Sequence, residues 1–250
     1  MGTYREQGIV LRTYKLGETD RILHLLTQGR GRVRAVAKGI RRPGSRFGGR
    51  LEPYSHVDLQ LHEGRNLDVI SQAELLAPHA AVRADFARSA CAATMAEVAD
   101  AIAQEGERDN PLFLLLRAGL QALDAEPEDP TVFVDAFLLR AASAAGFHAW
   151  VEACAVCRRP GPHALLSVKA GGTLCGDCAP PGIRAVDPGT VRMLGLLAAP
   201  GQWVALPAGA GADADARAVA ASYVRAFVEH HLDRRLRSYD HIPRERPTVG

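Results

Sequence analysis

The spacing of apolar residues changes once, near residue 77, and that change limits the folds open to the chain. Before it, apolar residues come in short blocks or at period two. Ile9-Val10-Leu11 is one block, Arg21 to Thr27 is mostly apolar, and Gly29-Arg30-Gly31 turns the chain after it. Val33, Ala35 and Ala37 then alternate with Arg32, Arg34, Val36 and Lys38, which puts cations on one face of a strand. Val57, Leu59 and Leu61 alternate with Asp58, Gln60 and His62, and after the turn Glu63–Asn66 the residues Leu67, Val69 and Ile70 open another run. Five short strands in about 70 residues, joined by tight turns, predict a small closed barrel of the OB-like kind over residues 1–77. The glycine- and arginine-rich segment Lys38–Arg50 should project from it as a loop.

From Pro78 onward the period is helical. Val82, Phe86, Met95, Val98 and Ile102 line one side of an Ala-rich segment. Asn110-Pro111, Asp129-Pro130 and Asp187-Pro188 each open a further helix, pairing a capping side chain with Pro at the first helical position, and Gly146 closes the one begun at Asp129. After a loop from Pro200 to Gly211, a last helix from Asp213 carries Val219, Tyr223, Phe227 and Leu232, with Arg234, Arg235 and Arg237 at its negative end. The tail Arg244–Gly250 is expected to fray. Residues 150–183 are rich in Gly, Pro and Cys and interrupt the helical pattern. The expected fold is α+β and multidomain: a barrel over 1–77, then a helical domain over 78–250 with a cysteine-bearing insertion at 150–183.

The chain's formal charge of +2 conceals a segregation. Residues 1–50 hold twelve Lys and Arg against Glu6, Glu18 and Asp20, a net +9 that leaves −7 on the remaining 200 residues. From Arg30 to Arg50 there are eight cations and no anion. A solvated surface normally interleaves both signs, so this block implies an anionic partner, and no apolar face accompanies it as a membrane would require. Arg32, Arg34, Lys38, Arg41, Arg42, Arg46 and Arg50 are the expected phosphate contacts. Phe47, set among them, either stacks on an unpaired base or plugs the mouth of the barrel. The longest clean apolar run, Leu112–Leu116, is far short of the ~18 residues of a membrane helix, and Met1–Glu6 lacks a signal-peptide core. The chain reads as cytoplasmic.

Four of the five cysteines form two knuckles, Cys154-Ala155-Val156-Cys157 and Cys175-Gly176-Asp177-Cys178, separated by seventeen residues. A two-residue gap lets both thiolates of a knuckle reach one ion, so the doubled spacing predicts a zinc site. Disulfides do not suit a cytoplasmic chain, and a redox site needs a single C-x-x-C on a βαβ unit. Four thiolates fill the tetrahedron and leave no open position for a substrate, which makes the zinc structural. His148 and His163 lie nearby as weaker alternatives to a thiolate, and Cys91, on the Ala-rich helix, reads as a small buried hydrophobe. Catalytic motifs are incomplete or absent. Gly39–Ser45 has the outline of a phosphate loop but lacks its Lys and carries Pro43, and no G-x-S-x-G or H-E-x-x-H is present. His230 and His231 are adjacent, so they do not share a helix face, and the carboxylates at 105–109 and 124–129 read as helix-end groups. The chain is expected to be no enzyme.

Certain residues carry a resemblance to a known family. Leu16-Gly17-Glu18-Thr19-Asp20-Arg21-Ile22, Val36-Ala37-Lys38-Gly39 followed by Arg41-Arg42, and Ser45-Arg46-Phe47-Gly48 with Leu51-Glu52-Pro53 resemble the RecO family of bacterial recombinational DNA-repair proteins. The order of barrel, helical domain and embedded four-cysteine finger matches as well, so the resemblance spans nearly the whole chain. Some members lack the cysteines; this chain keeps all four. The resemblance implies an OB-fold N-domain that binds single- and double-stranded DNA, annealing of complementary strands, and no catalytic residues. It further implies work with RecR, and in some pathways RecF, to help RecA displace single-strand binding protein, whose C-terminal tail is an expected contact. Its place would be the bacterial cytoplasm, at the nucleoid. A zinc-ribbon transcription or RNA-binding factor using the same basic patch is the alternative reading.

Overall fold

The computed structural model describes residues 2–201, 203 and 214–243. Its N-terminal part is a closed five-stranded barrel of β1 (Thr3–Leu16), β2 (Asp20–Thr27), β3 (Gly31–Ala37), β4 (His56–His62) and β5 (Asp68–Ala77). The strand order is β1-β2-β3-β5-β4, closed by β1 against β4, and the β3–β5 pair is parallel. β1 is much longer than its apolar block. It pairs with β4 through Thr3–Ile9 and with β2 through Gly8–Leu16, so one strand serves two neighbours and closes the barrel. A register shift between Val10 and Arg12 bends it where it changes partner. Period-two burial fills the interior with Val10, Leu23, Leu25, Val33, Ala35, Val57, Leu59, Leu61 and Ile70.

Three helices complete the first compact unit, Met1–Ala125: α1 (Ala80–Ala84), α2 (Phe86–Ile102) and α3 (Asn110–Asp124). The change of period near residue 77 is thus a change of secondary structure inside a compact body. The cause lies on the outside of the barrel. Ile9, Leu11 and Leu26 are buried yet absent from the barrel interior, and α2 packs against β1 and β2 over them. α2 is buried nearly all round, from Ala90 to Asp100, so its expected single apolar side is too narrow. Phe86, placed on that side by the sequence, is 71% exposed because it occupies the first turn, before the helix meets its neighbours.

The second compact unit, Glu126–Gly250, holds α4 (Pro130–Ala144), α5 (Pro188–Ala198) and α6 (Ala214–His231), which pack on one another. The Asp-Pro starts behave as the sequence predicts: Asp129 accepts from the Thr131 N–H and Asp187 from that of Gly189, while in the first unit Asp109, one residue earlier than expected, caps α3 through Leu112. Gly146, at φ 95°, ends the α4 segment, with the Phe147 N–H donating back to the Ala142 carbonyl. The predicted helix start at Asp213, most of Pro200–Gly211 and the tail Arg244–Gly250 lie outside the described residues. Val219, expected in the apolar stripe of α6, is 43% exposed, and buried Ala216, Ala220, Tyr223, Val224 and Phe227 make the stripe instead. α6 also ends earlier than expected. His230 and His231 occupy its last turn, while Arg225 and Arg235 grip Asp240 of a short 3-10 turn, Ser238–His241.

Candidate nucleic-acid interface and metal centre

The Lys38–Arg50 segment is a chain of tight turns. The N–H groups of Arg42, Ser45, Gly48 and Arg50 donate to the carbonyls of Gly39, Arg42, Ser45 and Phe47, each three residues back. Two side chains fix the segment to the barrel end. Asp20 accepts from the Gly39 N–H at 2.8 Å and from the Thr19 hydroxyl, and these bonds hold its carboxyl below the usual carboxylate range. Arg41 donates from its backbone to the Thr19 carbonyl and from its guanidinium to the Glu18 carbonyl at 2.8 Å. Ile40, Phe47 and Leu51 point inward and join the barrel core. The remaining positions face water, so Lys38, Arg41, Arg42, Arg46 and Arg50 are all exposed. Among the described residues none of these five makes an ion pair. Arg41 and Arg50 give part of their guanidinium donors to the carbonyls of Glu18 and Arg46, while Lys38, Arg42 and Arg46 keep theirs for an anion.

Phe47, grouped with the DNA contacts as either a stacking ring or a plug, is 1% exposed, which favours the plug. Its ring fills the barrel end and the Arg46 guanidinium lies over it at 5.0 Å, so no face is left for a base. Arg32 and Arg34 differ from the loop cations as well. Both pair with Glu105, at 3.7 and 2.8 Å, and Arg32 also donates to the Asp100 carbonyl. Their charge is partly spent inside the protein. Glu105 lies just beyond α2, and nothing in its local sequence marks it as a partner of β3.

The metal centre lies in the second unit. Two short strands, β6 (Leu165–Ser167) and β7 (Gly172–Leu174), form a hairpin between the knuckles. At Gly172 a Cβ would sit 2.1 Å from the Trp150 carbonyl oxygen, so only glycine lets the ribbon pass. The Cys154 N–H donates to Arg159 and the Ala155 N–H to Thr173, which folds the first knuckle onto the hairpin, and Arg159 pairs with Asp177 of the second knuckle at 2.7 Å.

The Sγ atoms of Cys154, Cys157, Cys175 and Cys178 all lie within 4.8 Å of one another. Cys157 and Cys175 stand 3.7 Å apart. A disulfide needs about 2.05 Å, whereas thiolates bonded to zinc at ~2.3 Å in a tetrahedron stand about 3.8 Å apart. Burial raises the Cys154 thiol, but N–H groups of Cys157, Cys175 and Val156 outweigh it and bring it down to about 5. Cys178 is pushed up to about 12 by hydrogen bonds with Cys175 and Cys157. Four sulfurs this close, two from each knuckle, are the donor set that a tetrahedral cation takes. His148 and His163 stand apart from it, on the Ser143 hydroxyl and the Arg159 carbonyl.

Family models place this architecture. The model described as Recombination protein O N terminal matches residues 1–79, and Recombination protein O C terminal matches 83–240. The chain belongs to the RecO family. It is 44% identical to the DNA repair protein RecO of Frankia casuarinae over 98% of this chain and 100% of that protein. The RecO proteins of a Nocardioides species and of Thermobifida fusca are 45% and 42% identical, over 96% and 95% of the chain and 99% and 97% of their own lengths. Membership gives the chain a role in recombinational DNA repair. The residues that carry the RecO resemblance are those that build the barrel end: Gly17–Asp20 form the hairpin tip that holds Gly39 and Arg41, and Arg21 pairs with Glu52 at 3.2 Å. Among the described residues no helix is long and apolar enough to cross a membrane.

Proposed function

We propose that this RecO-family chain is a non-enzymatic recombination mediator. It binds single- and double-stranded DNA, anneals complementary strands and, with RecR, helps load RecA onto DNA coated with single-strand binding protein. The observation that carries this reading is the barrel-end loop, where buried Ile40, Phe47 and Leu51 fix the backbone while Lys38, Arg41, Arg42, Arg46 and Arg50 face water. Cations held on a rigid base neutralise phosphates without reading sequence, as annealing of arbitrary strands requires. Arg32 and Arg34 contribute less, since Glu105 shares their charge. One zinc ion on Cys154, Cys157, Cys175 and Cys178 would supply folding energy to the 150–183 insertion and no reaction. The C-terminal tail of single-strand binding protein is a direct contact, RecF a functional one, and the nucleoid is where the protein works.

The test is annealing of complementary strands coated with single-strand binding protein, with and without RecR. Acceleration by the chain, similar across unrelated sequences, is the expected result. Tight binding to one duplex sequence without annealing would refute the mediator reading and favour a zinc-ribbon transcription factor.

A further inference from the structure

With Phe47 buried, the barrel needs another aromatic if it is to hold unpaired bases by stacking. The first unit has six aromatic residues of the Phe and Tyr type. Phe47 and Phe113 are buried. Tyr54 is largely withdrawn from water, which raises its hydroxyl's pKa. The Tyr4 ring is covered by Arg30 at 3.9 Å, and its hydroxyl is bonded to Asp68. Phe86 is open, but it lies in the first turn of α2 and not on a barrel strand, and among the described residues no ring backs it. Tyr14 remains, 45% exposed.

Its position follows from register. Leu23 and Leu25 point into the barrel, so His24 between them points out, and Arg12, His24 and Arg34 stand side by side across β1, β2 and β3. Tyr14 pairs with Ile22, and Ile22 with Val36, in the next outward row. The His24 ring backs Tyr14 at 5.2 Å between centroids, tilted by 58°. Charge is arranged on both sides. Below lie Arg12, Arg32 and Arg34 against the carboxylates of Asp100 and Glu105, a net +1. Above, Arg41 is tied to Gly17 and Glu18 at the hairpin tip, with Arg42 beside it. From Arg12 to Leu16 the strand advances about 13 Å at ~3.3 Å per residue, the span of a few nucleotides between two cationic groups.

We propose that Tyr14, backed by His24, is a stacking platform for a base of an unpaired DNA strand that runs along the β1–β2 arm with its phosphates on the flanking arginines. This rests on the DNA-binding reading above and adds the residue that distinguishes single strands from duplex. A duplex keeps its bases stacked on each other and offers none to Tyr14.

The experiment measures binding of a fluorescent oligonucleotide, single-stranded or duplex, to the full chain and to Tyr14→Phe, Tyr14→Leu and Phe86→Ala. Tyr14→Leu should weaken single-strand binding by about 5- to 140-fold, the equivalent of ~1–3 kcal/mol for one stacked base. Duplex binding should hold, and the slope of log affinity against log salt should not change, because stacking releases no counterions. Tyr14→Phe and Phe86→Ala should bind like the unaltered chain. Photo-crosslinking of a 5-iodouracil oligonucleotide to the unaltered protein should mark Tyr14 by mass spectrometry, a readout that does not depend on any variant folding. Unchanged single-strand affinity in Tyr14→Leu, equal losses on single strand and duplex, or a crosslink away from the β1–β2 arm would each overturn the proposal. Failure of the unaltered chain to bind single strands would instead sink the functional reading on which it rests.

Discussion

Replacing Phe47 with Ala separates a barrel plug from a DNA contact, and the two readings differ in size as well as kind. The residue is 1% exposed and packs with Ile40 and Leu51 in the barrel core. A buried phenylalanine removes roughly 150–250 Å² from water, worth about 4–6 kcal/mol at ~25 cal/mol per Å². Truncation to Ala keeps only the Cβ and leaves a cavity, so a loss of about 3–5 kcal/mol is expected. That is a large share of the ~5–15 kcal/mol that holds an ordinary domain folded. Phe47→Leu, which refills much of the space, should lose far less and allows the DNA measurement on folded protein. Denaturant unfolding followed by hydrogen exchange of the barrel strands gives the magnitude and its location. Affinity of the folded Leu variant for single strands should stay near that of the unaltered chain. A full-strength barrel in Phe47→Ala, combined with single-strand binding weakened by about 1–3 kcal/mol, would refute the burial argument and restore Phe47 as a stacking residue.

Neutralising Arg41, Arg42 and Arg46 together removes about three phosphate contacts, so the log affinity–log salt slope on single strands should flatten by about 2, at roughly 0.7 per contact; an unchanged slope and affinity would remove the loop from the interface. Elemental analysis of protein purified without chelator should find one zinc per chain, and Cys175→Ser should raise hydrogen exchange over 150–183 while the barrel strands stay protected. Acid should weaken the first unit through His56. Burial, with Arg117 and His79 nearby, lowers its pKa to about 4, its Nε2 has no hydrogen-bond partner, and Phe113 packs edge-on at 5.7 Å. A depressed folded-state pKa means full stabilisation above the unfolded value near 6.5, lost as pH falls through 4, because the unfolded chain binds the proton first. The unfolding midpoint of the first unit should therefore drop across that window, and His56→Gln should flatten the drop.

The parts of this molecule that could be read from sequence are those whose cause is local. Period-two alternation in Val33–Lys38 and Val57–His62 reports one buried face of a strand, and the barrel follows from these two with the three shorter apolar runs. The knuckle spacing reports the metal set, because a two-residue gap already brings a pair of sulfurs together. The Asp-Pro starts report caps, because the donor and the carboxylate are two or three residues apart. What escaped is non-local. Glu105 meets Arg34 across 71 residues and Asp100 meets Arg32 across 68, so a block of cations without a neighbouring acid in sequence does have acids beside it in space. The long reach of β1 escaped because its outer half is exposed and lacks the apolar signature, although its pairing with β2 continues to Leu16.

The same distinction explains the aromatic exchange between Phe47 and Tyr14. Phe47 sits in a stretch of glycines and arginines, and its neighbours in sequence give it the look of a surface residue. Its burial comes from three side chains, Ile40, Phe47 and Leu51, that the successive turns bring to one side. Tyr14 lies between Thr13 and Lys15 with no glycine near enough to suggest a ligand. Its exposure comes from the shift of register after Val10, which carries the β1–β2 arm on to the hairpin at Gly17. In each case burial was set by how the chain closes the barrel end. A glycine- and arginine-rich loop can therefore supply the charge for a nucleic-acid surface while a neighbouring strand supplies its aromatic. The loop's own ring is needed to hold the backbone still, since cations on a loose loop would lose affinity to the entropy of ordering it when the strand binds.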